Sequence, residues 1–176
     1  SSTLCYNTAI DTPKEREYRM LQAKAVAQSR TEQTQIVMPR HINGSDRIFG
    51  GQLMEWIDIL AGVVARRHSG HDVTTAAVDN LQFKAPAHVG DTMALVGQIT
   101  HIGHTSMEVR VDTFVEGLDG EKHLVNTAYL VLVALDDQGQ PTPVPPLLLE
   151  TEEERREWEA GIRRYNLRKQ RRIEAY

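Results

Sequence analysis

Apolar positions along the chain recur with two different periods, and their order sketches an architecture. From Gln52 to His68 the residues Leu53, Ile57, Leu60, Ala61 and Val64 share one face of a helix, a stripe broad enough to be buried along most of the segment. After the Ser69-Gly70-His71 break come four β-type runs: Val73 to Phe83, Thr92 to Ile102, Ser106 to Glu116 and Lys122 to Leu135. Alternation is clearest where Met107, Val109 and Val111 interleave with Glu108, Arg110 and Asp112, which predicts a strand with one buried face. Turns at Gly103-His104 and Asp119-Gly120 predict that the four runs form an antiparallel meander. Upstream, Thr34 to Met38 reads as a short strand ended by Pro39. Residues 13–29 read as a covering helix, with Thr12 as its cap, Pro13 at its first position and Tyr18, Leu21, Ala25 and Val26 on its apolar side. One strand, a long buried helix and four long strands predict an α+β domain whose sheet wraps the helix.

The flanks differ in character from this middle. Asp136 to Pro146, rich in Pro, Gly, Gln and Asp, closes the domain as a loop. Glu150 to Tyr176 reads as a separate charged helix opened by a capping box of Thr151 and Glu154. Its eight basic and seven acidic residues are segregated. Glu150 to Glu154 open the segment, and Arg163, Arg164, Arg168, Lys169, Arg171 and Arg172 close it, which suits the helix dipole. The expectation is a solvated or subunit-covering helix, with attraction of phosphate as the lesser alternative. The domain plan is a lead and helix over 1–29, a single domain over 30–147 and the charged helix over 148–176.

Composition narrows the function classes. A chain of 176 residues buries enough surface for a core without metal or disulfide staples. Its one cysteine, Cys5, excludes an intramolecular disulfide and a Cys-based zinc site, and points to a reducing, cytoplasmic setting. Membrane spanning is not expected, since no apolar run approaches the roughly 20 residues a spanning helix needs, nor is export, for want of a signal segment. A formal net charge of −4 argues against a general nucleic-acid binder.

Candidate chemistry gathers on the central helix. Asp58 falls at the border of its apolar face beside Met54, Ala61 and Ala65, where a carboxylate partly withdrawn from water needs a hydrogen bond or a shifted pKa. Gly51 and Gly62 on the same side leave room for a ligand or a second subunit. Glu55 reads as solvated. Phe49-Gly50-Gly51 enters the helix, where unpaired backbone N–H groups at the positive dipole end bind anions and developing oxyanions. Asp58, those donors and a polar loop residue such as Asn43 together suffice for acyl transfer to water. The seven histidines show no metal-ligand spacing, so no metal is expected. A nucleophile elbow, a dinucleotide fingerprint and a Walker lysine are also lacking.

Asn43 to Asp58, NGSDRIFGGQLMEWID, resembles the signature of hot-dog-fold acyl-CoA thioesterases, in the subgroup of brain acyl-CoA hydrolase and its bacterial YciA-like relatives. Val78 to Pro86 with Gly90-Asp91 resembles that family's strand ending in Phe-x-x-Pro and its Gly-Asp turn. Gly103-His104-Thr105-Ser106 resembles its Gly-x-Thr-Ser hairpin. The likeness spans about residues 30 to 147, and departs from the family where Asp46 replaces a frequent glycine.

The resemblance implies a helix wrapped by an antiparallel sheet of about five strands, here with extra terminal helices. It also implies a homodimer at minimum, commonly a trimer of dimers, with active sites at the subunit interface. Asp58 would be the catalytic carboxylate, as general base or nucleophile on a fatty acyl-CoA thioester. Asn43 would position water or carbonyl across the interface, and the N–H of Gly51 would be the oxyanion donor. Phe49, Gly50, Asn80, Lys84, Thr105 and Ser106 are the implied substrate contacts. No cofactor is implied beyond the CoA of the substrate. The alternative is a non-catalytic acyl-CoA-binding or sensing protein of the same fold. A hydratase ranks below it, for want of a histidine beside Asp58 in the helix.

Overall fold

In chain order the elements are β1 (Thr3–Cys5), β2 (Lys24–Ala25), α1 (Val26–Ser29), β3 (Thr31–Ile36), α2 (Gly50–Ser69), β4 (Asp72–Phe83), β5 (Thr92–Ile102), β6 (Ser106–Glu116), β7 (Lys122–Leu135), β8 (Leu147–Leu149) and α3 (Glu152–Ile173). They come from a computed structural model that describes residues 3–5, 13 and 21–175. The main sheet is antiparallel throughout, with strand order β3-β5-β6-β7-β4. Helix α2 lies on one face of it and buries Leu53, Trp56, Ile57, Leu60, Ala61, Val64 and Ala65. Facing them are Met93, Leu95, Ile99, Val109, Val111, Leu130 and Leu132, all 1% exposed or less. This is the α+β arrangement of a helix wrapped by a sheet that the apolar pattern predicts, since a helix with so broad an apolar stripe needs a sheet face to cover it.

Three expectations change. Only β5, β6 and β7 form a meander; β4 pairs with β7 instead of β5, because β3 already occupies the other edge of β5. The first strand of the main sheet runs Thr31–Ile36, earlier than expected, and the Val37 N–H turns away to donate to the Asp91 carbonyl at 2.9 Å. Of the expected helix over 13–29, Pro13 and Val26–Ser29 are helical, residues 14–20 lie outside the described ones, and 21–25 are not helical. Lys24 and Ala25 are extended instead, in parallel register with Leu147 and Leu148, and the Lys24 N–H donates to the Pro146 carbonyl at 3.0 Å. Strand β8, which also pairs with β1 at Cys5, supplies a ladder that outweighs a marginal helix end.

Helix α3 carries the expected capping box: the Glu154 N–H donates to Thr151 Oγ1, and Glu154 Oε2 accepts from the Thr151 N–H. It is no solvated appendage. It docks on the outer face of the sheet, where Gly161 meets β5 so closely that an added Cβ would stand 2.6 Å from His101 Cβ. Beside this contact Glu108, with its side chain 1% exposed, accepts from Thr100 Oγ1 at 2.6 Å, Arg164 Nη2 at 2.8 Å and Arg168 Nη1 at 2.9 Å. The Arg164 guanidinium also stacks 3.8 Å from the centroid of the Tyr129 ring. Burial alone would push the Glu108 carboxyl up, but the donors from Arg164, Thr100 and Arg168 outweigh it and hold the group below its ordinary value.

His101, packed against Trp158 and Tyr165, is pushed down by burial from its ordinary 6.5 to about 4. A base whose folded value is depressed is neutral in the native state while the unfolded chain protonates, so stability falls as pH drops from 6.5 towards 4. That span corresponds to about 3 kcal/mol. Urea unfolding between pH 7 and 4 should show this decline, and His101→Phe should flatten its upper part. An equal slope in both proteins would contradict the assignment.

Candidate active site

The loop from His41 to Phe49 sets up the start of α2. His41 is buried edge-on against Trp56, its Nδ1 accepts the Met38 N–H at 3.0 Å, and its carbonyl accepts the Phe49 N–H at 2.8 Å. Between these anchors the chain turns on Asn43, whose N–H donates to the Arg47 carbonyl at 2.8 Å and whose Oδ1 accepts the Ser45 N–H at 3.0 Å. Asp46 has φ of 56°, the left-handed conformation that glycine adopts freely. The departure from the family's glycine therefore keeps the glycine-like path. The Asp46 carbonyl also lies 2.8 Å from His88 Nδ1.

Helix α2 then begins without a side-chain cap, its N-cap position being Phe49. The N–H groups of Gly50 and Gly51 sit where a helix has no internal partners to offer them. An added Cβ on Gly51 would stand 2.5 Å from Cε1 of the exposed Phe49 ring, so glycine is what allows that ring to fold back over the helix start. Two turns on, Asp58 is exposed at the mouth of a cleft of about 350 Å³ lined by Gly51, Met54, Thr75, Val78, Leu81 and Leu130. Thr75 Oγ1 donates to Asp58 Oδ1 at 2.6 Å, leaving Oδ2 for other partners. The expected withdrawal of Asp58 from water is thus absent in the single chain, because the cleft opens at the free edge of β4. Apart from its chain neighbours and the backbone of its own helix, no described heavy atom comes within 4 Å of a Cβ added to Gly62.

The expected site residues divide among three clefts. Asp58 and Gly51 share the first with Thr75. Asn43, Gly50 and Lys84 line a second, also about 350 Å³, beside the exposed ring of Phe83. Thr105 and Ser106 line a third, of about 550 Å³, together with arginines of α3. Asn80 sits in β4 at an irregularity between Asp79 and Gln82, where the buried Asn126 side chain donates to the Gln82 carbonyl at 2.6 Å. Within one chain, then, Asn43 and Asp58 do not meet. Among the described residues no three His, Cys, Asp or Glu side chains cluster as metal ligands. No described helix is long and apolar enough to cross a membrane.

Sequence reasoning missed Thr75. Its only trace was a polar pair, Thr74-Thr75, inside a β-type run, and its role depends on how β4 lies beside α2, which one sequence does not display.

Residues 46–120 match the family model of the thioesterase superfamily. The chain is 39% identical over 145 residues to the uncharacterized acyl-CoA thioester hydrolase YkhA of Bacillus subtilis (strain 168), covering 82% of this chain and 84% of that protein. It is similar to an apo-hexameric acyl-CoA thioesterase, with 41% identity and a TM-score of 0.82 over 86% of this chain and 97% of that one. It is likewise similar to the acyl-CoA hydrolase of Staphylococcus aureus in complex with butyryl coenzyme A, coenzyme A and coenzyme A disulfide, with 34% identity and a TM-score of 0.83 over 87% of this chain and 94% of that one. Structures of that enzyme also exist with an asparagine, an aspartate and a threonine each replaced by alanine. Along that chain these three are separated by 15 and 17 residues, the separations of Asn43, Asp58 and Thr75 here.

Proposed function

This chain belongs to the thioesterase superfamily, among its acyl-CoA thioester hydrolases, and on that premise we propose that Asp58 drives the attack on a fatty acyl-CoA thioester carbonyl. The observation that carries this reading is a carboxylate oriented by Thr75 at the mouth of an apolar cleft, two turns from an uncapped helix start. In the general-base route Asp58 takes a proton from water as its oxygen bonds to the carbonyl carbon. The N–H of Gly51 receives the oxyanion of the tetrahedral intermediate, and the C–S bond breaks as the proton passes to the leaving thiolate. In the nucleophilic route Oδ2 attacks the carbonyl carbon and the C–S bond breaks to release the CoA thiolate, leaving an anhydride that water then opens to free acid and the Asp58 carboxylate. Met54, Val78 and Leu81 give the acyl chain an apolar wall. Thr75 is a positioning residue: it fixes one carboxylate oxygen so that the other faces the thioester.

The working unit of this proposal is a homodimer at minimum, assembled as a trimer of dimers. Strand β4 is a free sheet edge 12 residues long, and Val78, Phe83, Met54 and Ile59 on it and on α2 are each at least 41% exposed. Long free edges and clustered apolar surface are normally covered. The hexameric relative fits the larger assembly. A partner would also bring its Asn43 to this chain's Asp58, which one chain does not do. No cofactor is needed beyond the CoA of the substrate. The substrate contacts in this reading are Phe49, Gly50, Asn80, Lys84, Thr105 and Ser106, and with a single cysteine the setting is cytoplasmic, with no nucleic-acid or membrane partner.

Subunit mixing tests the shared site. Asn43→Ala and Asp58→Asn are each expected to be nearly inactive. Unfolded together and refolded, half the dimers are mixed and each mixed dimer holds one intact site of two, so about a quarter of wild-type activity should return. No recovery in demonstrably mixed dimers would place both residues' action within one chain.

A further inference from the structure

We infer that the ion pair between Asp79 of β4 and Arg168 of α3 positions Asp58 from the far face of the sheet, by holding the strand that presents the Thr75 hydroxyl. Strand β4 makes contacts on both of its faces. Thr75 Oγ1 donates to Asp58 Oδ1 at 2.6 Å on the side of α2, whereas Asp79 Oδ2 accepts from Arg168 Nη1 at 3.0 Å on the side of α3. Thr75 and Asp79 are four residues apart, and in a regular strand such residues share a face. An inserted residue separates them. Thr75 opposes Leu132 of β7 and Ala77 opposes Val131, so Ala76 has no counterpart and the side chains beyond it change faces. A bulge of this kind re-aims a side chain beside a site. Without it, Thr75 and Asp79 could not reach α2 and α3 from one strand.

The same bulge interrupts the ladder next to Thr75, and the register shifts again between Asp79 and Gln82. Only the pairs of Ala77, Val78 and Asp79 with β7 lie between these two irregularities, and among the described residues β7 is the one strand paired with β4. Backbone pairing is therefore sparse where Thr75 must be placed, and the ion pair adds a side-chain tie there. The Arg168 and Asp79 side chains are 11% and 20% exposed, so solvent and salt screen the pair less than a surface one. Arg168 is itself anchored, since Nη1 also donates to Glu108 Oε2 at 2.9 Å. Glu108 belongs to β6, so Arg168 reaches across β7 and ties the edge strand to the middle of the sheet. Docking of α3 does not call for Asp79, because Arg164 on Glu108 and the close approach of Gly161 to His101 already fasten the helix. The contact that the pair holds stands on this geometry, and its effect on turnover rests on the proposed function.

The test compares acyl-CoA hydrolysis by the full chain with that of D79A, T75A and D79A/T75A, and with E153Q as a control for loss of an exposed carboxylate on α3. D79A should lower kcat about tenfold and leave KM within about twofold, because a misplaced carboxylate slows the step without weakening binding. T75A should lower kcat at least as much, and D79A/T75A should stay within about twofold of T75A, since the tie acts through Thr75. E153Q should stay within about twofold of wild type. An unchanged kcat in D79A, a loss carried by KM, or losses that multiply in the double variant overturns the inference. Should D79A lose its fold by circular dichroism, D79N provides the milder version of the same comparison. Hydrogen exchange followed by mass spectrometry separates this inference from the proposed function. Exchange in D79A should quicken over residues 72–79 and stay unchanged over α2 and α3. Unchanged exchange over 72–79 overturns the tie, and faster exchange throughout the chain overturns it by making Asp79 a general support of the fold. If wild type hydrolyses no acyl-CoA, the proposed function fails and the exchange result alone decides the tie.

Discussion

Asp58→Asn should lower kcat for acyl-CoA hydrolysis by about a thousandfold, within the range removed with a general base, and leave thermal stability nearly unchanged. The contrast follows from the side chain's surroundings. Asp58 is exposed and accepts from the Thr75 hydroxyl at 2.6 Å, a bond that an amide oxygen can still accept. Folding therefore loses little, whereas an amide can neither take a proton from water nor attack a carbonyl. Binding of a non-hydrolysable acyl-CoA analogue should persist. A variant that turns over within tenfold of wild type would remove Asp58 from the chemistry, and one that unfolds would show its role to be structural.

Glu108→Ala should have the opposite profile, a large loss of stability from a residue remote from the Asp58 cleft. Removing the carboxylate leaves the partly buried Arg164 and Arg168, with side chains 21% and 11% exposed, without their central acceptor. Breaking a buried ion pair by deleting one partner costs about 3 kcal/mol or more, which lowers Tm by about 10 °C in a chain of this size. Glu153→Ala removes a carboxylate 3.6 Å from Arg110 whose side chain is 66% exposed, and should change stability by less than about 0.5 kcal/mol. Equal effects of the two substitutions in urea unfolding would contradict the view that Glu108 fastens α3 to the sheet.

These two residues also mark where the sequence was readable. Asp58 stands out because helical periodicity puts it at the rim of an apolar stripe, and that periodicity is local. The four long strands and α2 were legible for the same reason: their patterns are dense and their turns carry glycine. Glu108 alternates with Met107 and Val109, which places it on the face of the strand opposite the predicted buried one. Alternation identifies two faces of a strand but does not reveal that a distant helix covers the second. Burial of both faces appears only once α3 is docked, and the close approach of Gly161 to His101 depends on the same docking. The place of β4 at the far edge and the Thr75 contact were hidden likewise, since strand order is a long-range property. The extended Lys24-Ala25 pair shows tertiary pairing overriding a helical pattern. At Asp46 a sequence difference left the backbone path intact, because aspartate tolerates the left-handed region better than most residues.

The most direct test of the central claim is release of free CoA from acyl-CoAs of graded chain length, followed with a thiol reagent on the wild-type chain beside Asp58→Asn. Hydrolysis by wild type that varies with chain length, and that the substitution abolishes, is the predicted result. Tight acyl-CoA binding without CoA release by wild type would contradict it and make the chain a sensor of acyl-CoA.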